Sequence, residues 1–276
     1  MKILVIGMDG QLGSELMNLF DDVVGTTRRS SNGIKLDIVN GIEVEDVILK
    51  TYPDVVINAA AFTNVDKGET DKQTSYLVNA EAVRHIVRAT SVIGAYLVHV
   101  STDYVFDGTK GNYLEDDIPN PINYYGLSKL MGDAYALSYD DSAVIRTSGV
   151  FGKKSNFPLF VAKTLKEGKT VYAIDSYYSP ISARRLAVAI KDIISKRYYG
   201  ILNIAGMRTS RYDLALRIKN LLNIETGKIE VVKTIPSFVA KRPYDSSLDI
   251  TRAKRIISVN LEEINSDITD MSNQLK

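Results

Sequence analysis

The chain has 276 residues, a net charge of +1, no cysteine and 45% hydrophobic residues, which is typical of a globular protein with a sizeable core. The near-neutral charge gives no support for a nucleic-acid partner or an anionic membrane surface, and the lack of cysteine excludes disulfides, thiolate catalysis and Cys-ligated zinc. No apolar run has the length of a membrane span and no leader precedes the first strand, so the sequence predicts a cytoplasmic protein.

A strand and a glycine turn open the chain. Residues 2–6, four of them apolar, are followed by glycines at positions 7, 10 and 13 and by an amphipathic helical run. In such a turn the first glycine allows a sharp bend, the second allows a pyrophosphate to approach the backbone, and the third allows close helix packing. An ordinary βα turn is the alternative. We predict a dinucleotide site whose turn residues are Gly7, Gly10, Gln11, Leu12 and Gly13.

The end of the second strand indicates which nicotinamide cofactor is used. Residues 22–27 form this strand, and Arg28 and Arg29 follow it where an acidic residue would suit NAD. Arginines suit the 2′-phosphate of NADP, so we predict NADPH, with NADH as the weaker possibility and a solvated basic turn as the alternative. A short strand over residues 33–38 places Asp37 and Ile38 where they could bracket the adenine.

The third strand–helix unit continues the predicted cofactor site. A buried strand at residues 54–58 leads into Ala59, Ala60 and Ala61, small residues that let a ligand cross the sheet edge, and Thr63 continues the loop. One long helix is expected from about residue 70 to 93. Asn79 lies near its middle, where asparagine is a poor helix former, so it is included among the cofactor-binding residues. Simple solvent exposure is the other interpretation.

The alternation of strands and helices predicts the fold class. It indicates an α/β protein with a Rossmann-type doubly wound parallel sheet and a smaller C-terminal substrate-binding domain. We expect the dinucleotide-binding domain at 1–155, the substrate-binding part at 156–276, and parts of about 180–205 and 238–255 returning to the first domain. The tyrosine pair at 177–178 is interpreted as packing.

A tyrosine and a lysine with helical spacing suggest the chemistry. Tyr125 and Lys129 are four residues apart and share a helix face, so the ammonium is expected to lower the pKa of the tyrosine. Such a tyrosine exchanges protons with a carbonyl oxygen, and Thr102 at the end of strand 96–100 would donate a hydrogen bond to the same oxygen. Chance alone yields about one such pair in a chain of this composition. The position at the start of a helix after the dinucleotide turn therefore carries the argument.

These residues, with several longer motifs, resemble the extended short-chain dehydrogenase/reductase family, and within it the reductases of dTDP-linked 4-keto deoxysugars. The resemblance extends to about residue 250. Its motifs are Gly7-x-x-Gly10-Gln11-Leu12-Gly13, Asn58-Ala59-Ala60-Ala61-x-Thr63-x-Val65-Asp66-Lys67-x-Glu69, Ser101-Thr102-Asp103-Tyr104-Val105-Phe106-Asp107-Gly108, Pro121-x-Asn123-x-Tyr125-Gly126-x-Ser128-Lys129, Arg146-Thr147-Ser148 and Arg242-Pro243.

The resemblance implies an enzyme and a reaction. Thr102, Tyr125 and Lys129 would form the catalytic triad, with Tyr125 and Lys129 also holding NADPH. Thr102, Asp103, Tyr104 and Arg242 would contact the substrate. Hydride would pass to the C4 ketone of the sugar, Tyr125 would supply the proton, and the product would be dTDP-L-rhamnose.

At three positions the chain departs from the family pattern, so the sequence does not determine which sugar is the substrate. Gly149 replaces a tryptophan that would stack on the sugar, the segment 178–181 differs from the usual Gly-x-Pro-Thr, and Ser247 replaces an arginine. All three changes are expected on the substrate side. Tyr104 stands where related 4,6-dehydratases carry a second acid, which favours simple reduction.

Two alternatives to this reductase function remain. One is a reductase of another nucleotide-linked keto sugar. The other is a non-catalytic NADP-binding regulatory subunit resembling the β subunit of methionine adenosyltransferase.

No metal ligand motif is present. The acidic cluster at residues 115–117 could recruit Mg²⁺, which related reductases use, although a solvated loop explains it better. The two histidines lack a ligand pattern. A homodimer is the expected assembly.

Overall fold

The computed structural model describes residues 1–29 and 32–273, and its centre is a seven-stranded parallel sheet. With elements numbered in chain order, these strands are β1 (Ile3–Ile6), β2 (Val23–Thr27), β3 (Ile34–Lys35), β4 (Val55–Asn58), β5 (Tyr96–Val100), β6 (Ser142–Arg146) and β11 (Gly200–Asn203). Their spatial order is β11-β6-β5-β4-β1-β2-β3, and every pairing is parallel. The strand order reverses between β1 and β4, which is where such sheets bind ligands at the carboxyl ends of the strands. The predicted fold class is confirmed.

Helices cover both faces of this sheet. Alternate residues of β1 point to opposite faces, so Ile3 and Val5 join one core while Leu4 and Ile6 join another. The first face is covered by α1 (Gln11–Met17) and α8 (Ala183–Ser195), and the second by α2 (Gly41–Thr51), α5 (Ala82–Ile93) and α6 (Tyr124–Leu137). Burial on both faces explains why the central strands are continuous apolar runs.

The helix expected over residues 70–93 is interrupted, and this prediction is wrong in that respect. The segment consists of α3 (Val65–Thr70), α4 (Lys72–Tyr76), a π turn at Leu77–Glu81 and α5. Asp71 leaves the helical conformation, and its side chain accepts a hydrogen bond from the Thr74 backbone N–H, which starts α4. Such π turns often occur at functional sites.

A third core lies in the C-terminal half. It packs α7 (Phe157–Lys166), α9 (Arg211–Leu221) and α11 (Asn265–Ser272) together with the parallel strand pair β8 (Thr170–Ile174) and β13 (Lys228–Val232). Short elements that the sequence did not predict complete the chain: β7 (Val150–Phe151), β9 (Tyr177–Tyr178), β10 (Ile181–Ser182), β12 (Thr209–Ser210) and α10 (Thr251–Ile256).

Segments beyond residue 155 also contribute to the main sheet and its core. Strand β11 pairs with β6, helix α8 packs against the sheet, and Leu248 and Ile250 are buried in the same core as β1. The exact domain division stays a prediction. Within the described part of the chain, no helix is long and apolar enough to cross a membrane.

Candidate active site

The glycine turn after β1 has the geometry that a close-packed nucleotide turn needs. Gly7 has a φ of +90°, a conformation that favours glycine, and a Cβ there would lie 3.0 Å from Ala60. A Cβ at Gly13 would overlap the carbonyl oxygen of Gly7, so only glycine lets α1 lie this close to the turn. A Cβ at Gly10 would meet only Gly7 O within 3.4 Å, and no side chain caps α1. The turn therefore leaves the backbone at Gly10 and the start of α1 free of side chains.

The other residues predicted for the cofactor lie along the same edge of the sheet. Ala59, Ala60 and Ala61 follow β4, and Thr63 is exposed in the loop beyond them. Arg28 and Arg29 are exposed after β2, while Asp37 is exposed and Ile38 half-buried after β3. The fold thus brings segments more than 50 residues apart to one groove at the switch point.

Asn79 is buried in the π turn rather than exposed, so solvent exposure does not explain it. Its Oδ1 accepts a hydrogen bond from the Phe62 N–H at 2.8 Å, and its Nδ2 donates to Phe62 O at 3.1 Å and to Ser128 Oγ at 3.0 Å. Asn79 therefore fastens the loop after β4 to the helix that carries Tyr125. This arrangement makes it a positioning residue for the groove.

Gln11 bridges the glycine turn and the loop before α7. Its Nε2 donates to Lys154 O at 3.0 Å, and its Oε1 accepts from the Lys154 N–H at 2.8 Å. Gln11 was predicted to bind the cofactor, but both polar atoms of its side-chain amide are hydrogen-bonded to the Lys154 backbone. It ties the nucleotide groove to a loop whose next residues line the large cavity described below.

Thr102 and Tyr125 meet at the end of β5 and the start of α6. The Thr102 hydroxyl is within hydrogen-bonding reach of Tyr125, accepts from the Tyr104 N–H at 3.2 Å and donates to Asp103 Oδ1 at 3.1 Å. Gly126 is essential here, because a Cβ would overlap the backbone oxygen of Tyr104. The ring of Tyr104 packs edge-to-face on Tyr125 with centroids 6.0 Å apart.

Asp103 is buried beneath this pair. Its Oδ2 accepts hydrogen bonds from Ser148 Oγ and Ser246 Oγ, both at 2.6 Å, in addition to the bond from Thr102 to Oδ1. The three hydroxyls come from three separate segments, so the carboxylate joins them and orients Thr102. Asp103 was predicted to contact substrate, but its oxygens are already occupied within the protein.

The electrostatic environment of Tyr125 differs from the expectation. Burial raises the pKa of Tyr125, a hydrogen bond with Thr102 partly opposes this, and the charge of Lys129 is not one of the main causes of the shift. The predicted net lowering of this pKa is therefore wrong, because burial outweighs the other contributions. A neutral phenol is nevertheless the form that can give up a proton.

Lys129 is buried under the site. Its Nζ donates to Val100 O at 2.8 Å and lies 3.4 Å from His99 Nε2, which in turn is 3.8 Å from Asp133 Oδ1. Burial lowers the pKa of Lys129 to about 8, and the charge of Asp133 partly opposes that shift. Burial also lowers the pKa of His99 well below its usual value. The ammonium is thus held in place by a carbonyl rather than by a paired carboxylate.

A cavity of about 900 Å³ lies beside Tyr104, and most of its lining comes from the C-terminal half of the chain. Seven aromatic side chains and two arginines line it with small polar residues: Tyr104, Phe157, Phe160, Tyr172, Tyr177, Tyr178, Phe238, Arg211 and Arg242. This combination suits a ligand that carries both a ring system and negative charge.

The two arginines of the cavity are held differently. Arg242 Nη2 donates to Asp66 Oδ2 at 2.7 Å, and its guanidinium lies over the Phe238 ring. Arg211 lies over the rings of Tyr178 and Phe157 at 4.4 and 5.1 Å from their centroids. Arg211 was not predicted, since nothing in its local sequence distinguishes it from other residues at a helix start.

The departures from the family pattern fall in different places. The segment 178–181 contributes Tyr178 to the cavity, and a Cβ at Gly149 would overlap the Tyr178 ring. Tyr177 and Tyr178 both line the cavity, so packing alone does not account for them. Ser247, however, is buried and donates to Asp245 Oδ1 at 2.6 Å, which places it away from the expected substrate side.

The acidic cluster at 115–117 is divided among basic partners. Glu115 and Asp116 both face Arg252, at 3.5 and 2.7 Å, and Asp117 Oδ1 lies 2.8 Å from Lys110 Nζ. Among the residues that the structure describes, no group of three or more His, Asp or Glu side chains is placed to hold a metal ion.

Comparison with known proteins gives consistent matches. The family model described as the RmlD substrate binding domain matches residues 1–276. A dTDP-4-dehydrorhamnose reductase of Aggregatibacter actinomycetemcomitans is 32% identical over 94% of each chain. The spore coat polysaccharide biosynthesis protein SpsK of Bacillus subtilis is 36% identical, covering 83% of this chain and 82% of that protein.

Solved structures agree over the whole fold. A hypothetical dTDP-4-dehydrorhamnose reductase from Sulfolobus tokodaii is 53% identical, with a TM-score of 0.93 over 98% of this chain and 99% of the other. The dTDP-4-dehydrorhamnose reductase of Bacillus anthracis, solved in complex with NADP, is 27% identical with a TM-score of 0.91 over 99% and 100% of the two chains.

Proposed function

We propose that this chain, which belongs to the RmlD substrate binding domain family, catalyses the NADPH-dependent reduction of dTDP-4-dehydrorhamnose to dTDP-L-rhamnose. The contact between the Thr102 hydroxyl and Tyr125 beside the aromatic cavity carries this proposal. In this arrangement Tyr125 would act as a proton donor between a ligand of the cavity and a cofactor bound along the glycine turn.

The nucleotide groove supports NADPH as the cofactor, as does the NADP bound to the relative from Bacillus anthracis. The backbone at Gly7, Gly10 and Gly13 would receive the pyrophosphate, and Arg28 and Arg29 the 2′-phosphate. Asp37, Ile38 and the residues Ala59, Ala60, Ala61 and Thr63 would line the rest of the groove. When bound, NADPH supplies the hydride that the ketone carbon accepts.

Tyr125 is the proton donor in this proposal. Its raised pKa keeps the phenol protonated at neutral pH, ready to protonate the oxygen that forms at C4. The Thr102 hydroxyl lies within hydrogen-bonding reach of Tyr125, and its own hydrogen bond to Asp103 fixes its orientation beside the phenol. Lys129, anchored on Val100 O, would present its ammonium to the nicotinamide ribose.

The cavity would hold the nucleotide sugar. Arg211 and Arg242 provide cations for the diphosphate, and the aromatic side chains provide faces against which the thymine can stack. Tyr104 lies between the cavity and Tyr125, so the sugar end of the ligand belongs there. No role is assigned to a metal ion. A cytoplasmic location and a homodimeric assembly stay predictions from the sequence.

The test is a turnover assay with enzymatically prepared dTDP-4-dehydrorhamnose. We expect NADPH oxidation by the wild type, a loss of at least roughly 100-fold in kcat for Tyr125→Phe, and unchanged NADPH binding by calorimetry. Tyr124→Phe, one residue earlier, serves as the control and should keep wild-type turnover. If Tyr125→Phe reduced the substrate at the wild-type rate, the mechanism would be wrong.

Absence of turnover in the wild type would point to the alternatives. Turnover with another nucleotide-linked keto sugar would retain the mechanism and change the substrate. Tight NADPH binding without turnover of any such sugar would favour a regulatory NADP-binding subunit.

A further inference from the structure

Tyr178 carries a buried polar atom that the proposed mechanism does not use. Its side chain is 4% exposed, and among the described residues no group hydrogen-bonds its hydroxyl. A buried hydroxyl without a partner costs free energy, and such groups in native proteins usually have a functional reason. Tyr178 also lines the aromatic cavity, so a ligand bound there would contact this side chain.

The Tyr178 ring is fixed rather than adaptable. On one side it packs against Gly149, where a Cβ would overlap the ring, and on the other the Arg211 guanidinium lies 4.4 Å from the ring centroid. Its strand β9 pairs with β12 through Tyr178 and Thr209. A phenol held in this way presents its hydroxyl in one direction at little cost in side-chain entropy.

The surroundings of the hydroxyl indicate what kind of group it meets. Burial raises the pKa of Tyr178 to about 12, so the hydroxyl is neutral at physiological pH. The next residue, Ser179, donates its N–H to Ser148 Oγ at 3.2 Å, and Ser148 Oγ in turn donates to Asp103 at 2.6 Å. Tyr178 therefore belongs to the end of the cavity that Tyr104 also lines, next to the catalytic pair. The cavity's cations offer the diphosphate better partners than a neutral phenol does.

We propose that Tyr178 is a specificity-determining residue whose hydroxyl forms a hydrogen bond with a ring hydroxyl of the substrate's sugar. This inference rests on the proposed function, because it assumes that the sugar occupies the end of the cavity nearest Tyr104 and Tyr125. A site with a buried hydrogen-bonding group discriminates against an analogue that lacks the matching hydroxyl, because the protein group is then left unpaired.

The test compares wild type and Tyr178→Phe on pairs of substrates. The substrates are dTDP-4-dehydrorhamnose and its analogues that lack one ring hydroxyl each. We expect Tyr178→Phe to lower kcat/KM for the full substrate roughly 3- to 15-fold, and to have no effect with the analogue that lacks the partner hydroxyl. The affinity for NADPH should not change. Tyr52→Phe, at an exposed tyrosine far from the cavity, is the control.

Two results would overturn the inference. Equal kcat/KM for wild type and Tyr178→Phe would show that the hydroxyl makes no contact with substrate. An equal loss with every analogue would assign Tyr178 a packing role only.

A binding experiment separates this inference from the proposed function. Calorimetry with dTDP-L-rhamnose and its deoxy analogues, on wild type and Tyr178→Phe, gives the same comparison without turnover. If the wild type were inactive but Tyr178→Phe selectively weakened the fully hydroxylated ligand, only the proposed reaction would fail. If affinities were identical while the wild type was active, only the role of Tyr178 would fail.

Discussion

Lys129 illustrates at the residue scale how a functional cation is kept below the surface. It is 1% exposed, yet its nearest polar neighbours are a carbonyl and a histidine, and Asp133 lies beyond that histidine. The buried environment therefore stabilises the neutral amine more than water does, which is the cause of its lowered pKa. The site retains this unfavourable charge because the proposed chemistry uses it.

This environment predicts a pH-dependent stability difference. The folded pKa of about 8 is below the unfolded value of 10.5, so the unfolded state binds more protons between these values and the contribution of Lys129 to stability rises with pH there. Below pH 8 the charge costs about 3 kcal/mol of unfolding free energy. Lys129→Met should therefore be more stable than wild type at pH 7, and less so at pH 10.

The measurement is the free energy of unfolding in urea across this pH range. Taking the difference between the two proteins cancels the titrating groups that Lys129 does not influence, which leaves Lys129 itself and its neighbours His99 and Asp133. Lys50→Met, at a lysine exposed in an ion pair with Asp46, is the control and should show no such trend. A pH-independent difference for Lys129→Met would contradict the pKa shift.

The two arginines after β2 allow a prediction about cofactor choice. If Arg28 and Arg29 bind the 2′-phosphate, replacing both with alanine removes charge-assisted hydrogen bonds that only NADPH can make. We expect the Kd for NADPH to rise at least about tenfold and that for NADH less than about threefold. Calorimetry or fluorescence titration checks this, with Arg88→Ala as a surface control. Equal losses for both cofactors would show that the arginines do not read the phosphate.

At the scale of elements, the turn between β1 and α1 contains one glycine that packing requires and one that we expect cofactor binding to require. Gly13 is required by packing, because its Cβ would overlap Gly7 O, whereas Gly10 needs only a small adjustment at the same oxygen. We therefore expect Gly13→Ala to lower the melting temperature by several degrees. Gly10→Ala should keep the melting temperature within about 2 °C but weaken NADPH binding at least about tenfold.

Thermal unfolding and NADPH titration of the two variants form a matched pair. The prediction fails if Gly10→Ala destabilises the protein as much as Gly13→Ala, or if it binds NADPH as the wild type does.

The helix expected over residues 70–93 is interrupted because of contacts with other segments. The π turn brings Asn79 into line with Phe62 and Ser128, a pairing that an uninterrupted helix drawn from the sequence does not anticipate.

At the scale of the whole molecule, two contacts join the cofactor side to the substrate side. Gln11 pairs with the backbone of Lys154, and Asp66 holds the segment at residues 239–242. Asp66 Oδ1 accepts from the N–H groups of Val239 and Ala240, both at 2.9 Å, and its Oδ2 accepts from Arg242. This segment borders the cavity through Phe238 and Arg242.

Loss of the Asp66 contacts should therefore affect the substrate more than the fold. We expect Asp66→Ala to raise KM for the nucleotide sugar about tenfold, because Arg242 and the neighbouring backbone lose their anchor, while the melting temperature changes little. Steady-state kinetics tests this, with Asp46→Ala on the surface as the control. A variant with wild-type KM would show that the segment is positioned by other contacts.

The sequence by itself determined the elements with strong local patterns. Residues 96–100 form a strand with the expected bounds, and the strands predicted at 22–27 and 54–58 begin one residue later, at Val23 and Val55. These strands could be predicted because their apolar patterns and end signals are local. The glycine turn, Thr102, Tyr125 and Lys129 could be identified for the same reason, since each lies at a strand end or helix start. Their roles at the site stay predictions.

Only the tertiary structure decided which residues from distant segments come together at the site. Arg211, Tyr178 and Gly149 come together from three separate parts of the C-terminal half, and the hydroxyls around Asp103 from three more. The pKa of Tyr125 also depends on this packing, because burial is the largest cause of its shift and the neighbouring groups that act on it come from other elements. Burial and cavity shape arise from contacts between residues far apart in the chain, and local sequence patterns do not encode them.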